Sequence, residues 1–117
     1  MTYFDGVLAA VPATNKEAYI ASAKAGWPLF AEYGALSMME NWGEDVPEGK
    51  QTDFRRAVAL KDGETVVFSW VVWPDKATAD ACFATMDTDQ RWQQLDMPFD
   101  GKRMIYGSFD TIFHAEK

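Results

Sequence analysis

The chain has little of what many small functional domains are built around: one cysteine, Cys82, and one histidine, His114. A single thiol cannot close an internal disulfide, and a single imidazole excludes a multi-histidine metal site. Basic side chains are also short, 11 against 18 acidic, and the net charge of −7 speaks against nucleic acid or an anionic membrane as partner. Long apolar runs are missing. The longest stretches without a charge, Gly6–Asn15 and Thr65–Pro74, are ten residues each, against about 20 for a membrane-spanning helix. Asp5 interrupts the N-terminal apolar stretch and no basic segment precedes it, so no secretory signal is expected and the cytoplasm is the expected compartment. Glycine-rich phosphate cradles and a G-x-S-x-G elbow are absent, and Asp87 and Asp89 lack the glycine and glutamate of a calcium loop. The expectation is therefore no cofactor and no metal.

What is present is a globular composition, 48% hydrophobic and 15% aromatic with five tryptophans in 117 residues. That length is expected to form one domain spanning residues 1–117. Tyr3–Val11, rich in β-formers and closed by Pro12, reads as a first strand. Thr14 and Glu17 match a capping box. Tyr19, Ala23, Trp27, Phe30 and Tyr33 then recur at helical spacing up to a stop at Gly34. Ala35–Gly43 reads as a second strand and 44–51 as a polar loop. Asp53–Leu60 and Glu64–Trp73 flank Lys61-Asp62-Gly63, a hairpin signal, so both are expected as strands. Strand parity then makes 35–43 and 53–60 two halves of one interrupted strand. Asp75 caps a second helix with Ala79, Cys82, Phe83 and Met86 as its apolar stripe. A helical turn at Gln90–Leu95, a loop at Met97–Arg103 and a last strand at Met104–His114 follow. The order β-α-β-β-α-β predicts an α+β, ferredoxin-like fold: an antiparallel sheet with two helices on one face.

A sheet covered on one side should alternate apolar with polar. This one does not: Val66–Trp73 is apolar in both directions, and the first strand points Val7, Ala9 and Val11 one way and Phe4, Leu8 and Ala10 the other. The last strand does likewise, with Ile105, Phe109 and Phe113 against Tyr106 and Ile112. Two helices shield one face, and a homodimer packed through the open sheet face accounts for the second.

Several strings resemble one family: Tyr3-Phe4-Asp5-Gly6, WGEDVPEGK from Trp42 to Lys50, Thr52-Asp53-Phe54-Arg55, Val66–Trp70 and MPFDGKRMIYG from Met97 to Gly107. Together they are similar to the YbaA-like bacterial family of unknown function (DUF1428), over nearly the whole chain. The resemblance implies a dimeric α/β barrel, two sheets face to face with the helices outside, and carries no established chemistry. Gly107-Ser108-Phe109-Asp110 stands where relatives tend to have a second glycine and a glutamate.

The candidate site residues are Trp42, Asp53, Arg55, Trp70, Asp100, Arg103 and Tyr106. On a strand, Arg55 and Arg56 face opposite ways, so one approaches a buried surface. There it either holds a ligand carboxylate or pairs with Asp5, Glu40 or Asp53. Asp100 and Arg103 belong to a loop of both charge signs, where turn capping competes with binding. Trp42, Trp70, Trp73, Tyr106 and Phe54 either line a pocket for a planar ligand or serve as core and interface. Ser69 is a buried hydroxyl in need of a partner, and Cys82 a core thiol. The first reading is a homodimer that binds a small organic ligand or a protein partner. The second, implied by the superfamily resemblance, is a cofactor-independent oxygenase or isomerase acting on a small aromatic substrate, with Trp70, Tyr106, Arg55 and Asp100 as its groups. RNA binding ranks last on charge.

Overall fold

The computed structural model describes residues 2–117. Four strands, β1 (Tyr3–Pro12), β2 (Ser37–Trp42), β3 (Glu64–Trp73) and β4 (Ile105–Asp110), form one antiparallel sheet in the order β2-β3-β1-β4. Helices α1 (Lys16–Glu32) and α3 (Lys76–Ala84) make the two crossovers, and a short α2 (Phe54–Ala57) lies between β2 and β3. This is the ferredoxin-like α+β arrangement expected from the element order. The register sets Gly6 opposite both Trp70 and Gly107, and Asp5 opposite Val71 and Ser108. Strand alternation then divides the sheet cleanly. Tyr3, Asp5, Val7, Ala9 and Val11 face the two long helices together with Ser69, Trp73, Glu40, Trp42, Tyr106 and Ser108.

Both long helices end or begin where local chemistry dictates. Gly34, at φ +104°, closes α1 in a Schellman motif: Ala35 N–H donates to Phe30 O at 2.9 Å and Gly34 N–H to Ala31 O at 3.0 Å. Asp75 caps α3, its Oδ1 accepting from Thr78 N–H at 2.8 Å and Thr78 Oγ1 at 2.7 Å. The capping box is not used. Pro12 leads into a 3-10 turn at Ala13–Asn15, α1 starts one residue later, and Asn15 Nδ2 donates instead to Pro98 O across the structure. Arg91 bridges Asp89 and Glu32, tying the 89–94 turn to the end of α1.

The main departure concerns 53–60, where Phe54–Ala57 forms one helical turn and the rest is turn and irregular chain rather than a strand. Phe54, Arg56, Val58 and Leu60 alternate as a strand would, but Asp53 caps the segment, its Oδ1 accepting from Arg56 N–H at 2.7 Å. The expected hairpin is therefore a turn from a helical segment into β3, and β2 pairs with β3 over Ser37–Trp42 alone. A second Schellman motif ends α2, with Leu60 N–H donating to Arg55 O at 2.9 Å and Ala59 at φ +49° in the glycine position. Val58, 1% exposed, packs on Ala10 and Val66, so this segment covers one end of the sheet face that the long helices leave open. The last strand is also shorter than expected. Beyond Asp110 the chain is irregular, with Ile112 and Phe113 exposed.

The two left-handed positions give opposite expectations. Gly34→Ala places Cβ 2.6 Å from Thr78 Cγ2 at a positive φ and should cost about 2 kcal/mol. Ala59→Gly relieves its φ and should stabilise by about 0.5 kcal/mol after the entropy of glycine is deducted. Urea midpoints for the two variants, shifted in opposite directions, check both.

Candidate functional site

The seven residues singled out by sequence do not converge. Asp53 and Arg55 hold the 44–60 excursion together: Asp53 caps α2 and accepts from Gly49 N–H at 3.0 Å, while Arg55 Nε donates to Val46 O at 2.7 Å. Those backbone bonds hold the Asp53 carboxyl below its usual range. Because the segment is helical, neither Arg55 nor Arg56 is driven into the core; Arg56 lies 3.5 Å from Asp53. These side chains border an open hollow of about 510 Å³ with Glu48, Lys61 and Asp62.

Asp100 and Arg103 form a clamp. Arg103 makes a bidentate pair with Glu64, Nη1 to Oε1 at 2.7 Å and Nη2 to Oε2 at 2.6 Å. It also donates to Asp100 at 3.0 Å and to the carbonyl of left-handed Ala59 at 3.0 Å. Arg103 and Glu64 are 16% and 8% exposed. The guanidinium holds Glu64 down to about 2. Trp70 lies on the open face, edge-on to Phe68 at 5.4 Å between centroids. Trp42 lies on the helix face with Lys16 Nζ 5.5 Å above its ring.

Two polar constellations lie between the helices and the sheet. Beneath α1, Tyr19 Oη donates to a Glu40 carboxylate oxygen at 2.7 Å, with the buried Ser69 hydroxyl close to the pair. Glu40 is open to solvent along its edge strand, but its carboxyl end is tucked against α1, and that desolvation raises its pKa. Beneath α3, Asp5 accepts from Trp73 Nε1 at 3.0 Å and from Ser108 Oγ at 2.7 Å. It belongs to the wall of a cavity of about 150 Å³, lined also by Ala79, Asp80, Phe83, Tyr106 and Ser108. Phe83, expected in the core stripe of its helix, is instead 59% exposed, and Tyr106 is 66% exposed. Cys82 is buried in the core as expected, and burial pushes its thiol up to about 11.

Of the expected site residues, only Tyr106 reaches this cavity. Sequence reasoning named Asp5 merely as a partner for arginine and missed Phe83, Ser108 and Tyr19. The available signal was an acid at Asp5 in phase with Val7, Ala9 and Val11, and so on the helix-covered side.

The fold is that of ferredoxin-like α+β proteins. It is similar to a dimeric ferredoxin-like protein from an uncultured marine organism, with TM-score 0.64 and 14% identity over 97% of this chain and 98% of that one. It is also similar to a variant of SnoaB, a cofactor-independent oxygenase from Streptomyces nogalater, with TM-score 0.52 and 15% identity over 99% and 97%. Residues 2–101 match the family described as protein of unknown function (DUF1428). The uncharacterized protein YbaA of Escherichia coli K12, and that of Shigella flexneri, are each 51% identical over 114 residues, 96% of this chain and 97% of theirs. The chain belongs to the DUF1428, YbaA-like family.

Glu64 and Glu40 should give mirror-image pH behaviour. Glu64 is depressed in the fold, so its contribution is present above the ordinary carboxylate range and is lost as pH falls toward about 2. Glu64→Gln should therefore be less stable than the parent at pH 7, with the gap closing on acidification. Glu40 is raised, so its ionisation costs stability once pH rises through its folded pKa. Glu40→Gln should be the more stable protein at pH 7, with its advantage gone in acid. Denaturant midpoints at pH 7 and in steps down to pH 2 test both signs.

Proposed function

We propose that this protein is a homodimer joined through the open sheet face, with each subunit binding a small organic molecule in the cavity between α3 and β4. The observation that carries the dimer is where the strand charges lie. From Phe4 to Ala10, Ser37 to Asn41, Val66 to Val72 and Ile105 to Phe109, no position on the open face is charged, whereas Asp5, Glu40 and Asp110 all face the helix side. Among the described residues the one strand acid on the open side, Glu64 at the sheet's end opposite Pro12, is paired with Arg103. A solvated face would show the reverse. Met39, Phe54, Phe68, Ile105 and Phe109 are 40–51% exposed there. Burying the exposed half of each is worth on the order of 1 kcal/mol, or about 10 kcal/mol for five on each of two subunits. That is comparable with the roughly 4–15 kcal/mol cost of association, before Phe4, Leu8, Trp70 and Val72 are added. One structural neighbour is a dimeric ferredoxin-like protein, which supports association of two copies.

Ligand binding is supported by the cavity, which joins two exposed aromatic rings to an oriented carboxylate. The oxygenase activity named for SnoaB supports catalysis here by fold alone, and fold does not transfer chemistry. Among the described residues no helix is long and apolar enough to cross a membrane, and we read the cytoplasm as the compartment.

Light scattering at micromolar concentration should return twice the 13.2 kDa chain mass. Phe68→Asp, which alters a side chain already 40% exposed in the subunit, should return the single-chain mass with its circular dichroism retained. A wild-type chain that runs as a monomer would remove the proposal.

A further inference from the structure

We propose that the cavity beneath Phe83 and Tyr106 selects a protonated amine carried on a small aromatic or apolar body; this rests on the reading that each subunit binds a small molecule there. The sign of the ligand follows from the lining. Asp5 receives Trp73 Nε1 at 3.0 Å and Ser108 Oγ at 2.7 Å, both neutral donors. They orient the carboxylate without neutralising it, and among the described residues Asp5 takes part in no ion pair. Each of its oxygens retains acceptor capacity for an incoming N–H. Asp80, also in the lining, adds a second negative charge, shared with exposed Lys76 on its solvent side at 2.6 Å. Among the described residues no basic side chain lines the cavity, so a carboxylate ligand would meet like charge there.

The body of the ligand follows from the walls. Phe83 and Tyr106 expose 59% and 66% of their surface beside the two acids. Such rings attract a cation at their faces and an apolar group over their area. A volume of about 150 Å³ equals roughly five waters at ~30 Å³ each, the space of one ring with a short chain. Trp73, 1% exposed, anchors the floor from the core, so the carboxylate is preorganised before any ligand arrives.

Titration calorimetry with 2-phenylethylamine, 2-phenylethanol and 3-phenylpropanoate compares one body bearing a positive, neutral or negative end. The amine should bind at least about tenfold more tightly than either isostere. Asp5→Asn, which preserves an acceptor for Trp73, should erase that preference, and Phe83→Ala should weaken amine binding by about tenfold. Mass by light scattering and thermal midpoint should stay at parental values. Should Asp5→Asn fail to fold, Phe83→Ala decides, because that ring is largely exposed. Equal or tighter binding of the alcohol or the carboxylate overturns the amine assignment while leaving small-molecule binding in place. Amine binding indifferent to both substitutions also overturns it. No binding of any probe at about 10 mM overturns the assignment and the small-molecule reading together, and leaves the dimer to its own test.

Discussion

A sheet face kept largely apolar and free of charge over its central span is the constraint to which the rest of the molecule answers. Strand alternation gives four strands two faces, and the two long crossover helices lie on the same one. Keeping charge off the middle of the open face leaves Asp5 and Glu40 beneath the helices, where a bare carboxylate is costly, while Glu64, at the end of the open face opposite Pro12, is neutralised by Arg103. Both acids beneath the helices are accordingly supplied with donors: Trp73 and Ser108 for Asp5, Tyr19 for Glu40. The polar groups with chemical potential therefore concentrate between helices and sheet, as a consequence of what the other face must exclude.

The 44–60 excursion answers the same constraint at one end. Val58 and Leu60 pack against Ala10 and Val66, and the Phe54 ring leans on Phe68 at 5.9 Å. A segment with so little regular structure needs other ties. Asp53 caps its helical turn, Arg55 and Arg56 reach back to the carbonyls of Val46 and Gly49, and Arg103 fastens Ala59 to Glu64. The basic residues that looked available for ligands are spent on bracing this flap, which is why they sit at hydrogen-bonding distance from backbone rather than in a common pocket.

Most of the architecture was legible because it rests on local signals. β1 and β3, the Gly34 stop and the Asp75 cap follow from period-two runs, a left-handed glycine and an N-cap acid. The 53–60 segment was misread because Phe54, Arg56, Val58 and Leu60 satisfy a strand pattern while Asp53 offers a cap, and over so short a stretch the cap decides. Candidate sites were less legible, since their partners are distant in sequence. Asp100 and Arg103 could be seen as a charged loop, but Glu64, 39 residues before Arg103, could not be seen as its clamp. Ser108 meets Asp5 only through the β1–β4 register.

The two proposed surfaces lie on opposite sides of one strand. β4 is a six-residue edge paired to β1 alone, a position where local opening is cheapest. Its alternate residues divide between the two roles: Ile105 and Phe109 face the open side, Tyr106 and Ser108 the cavity. Phe109 stacks on Phe4 at 5.5 Å and lies across Gly6 and Gly107, where an added Cβ would come within 3.4 and 3.2 Å of its ring. Covering Ile105 and Phe109 with a second subunit would fix β4 against β1. The same restraint would act on Ser108, which already donates to Asp5 in the single subunit, so burial of the open face would steady the cavity floor through the pleat of the strand.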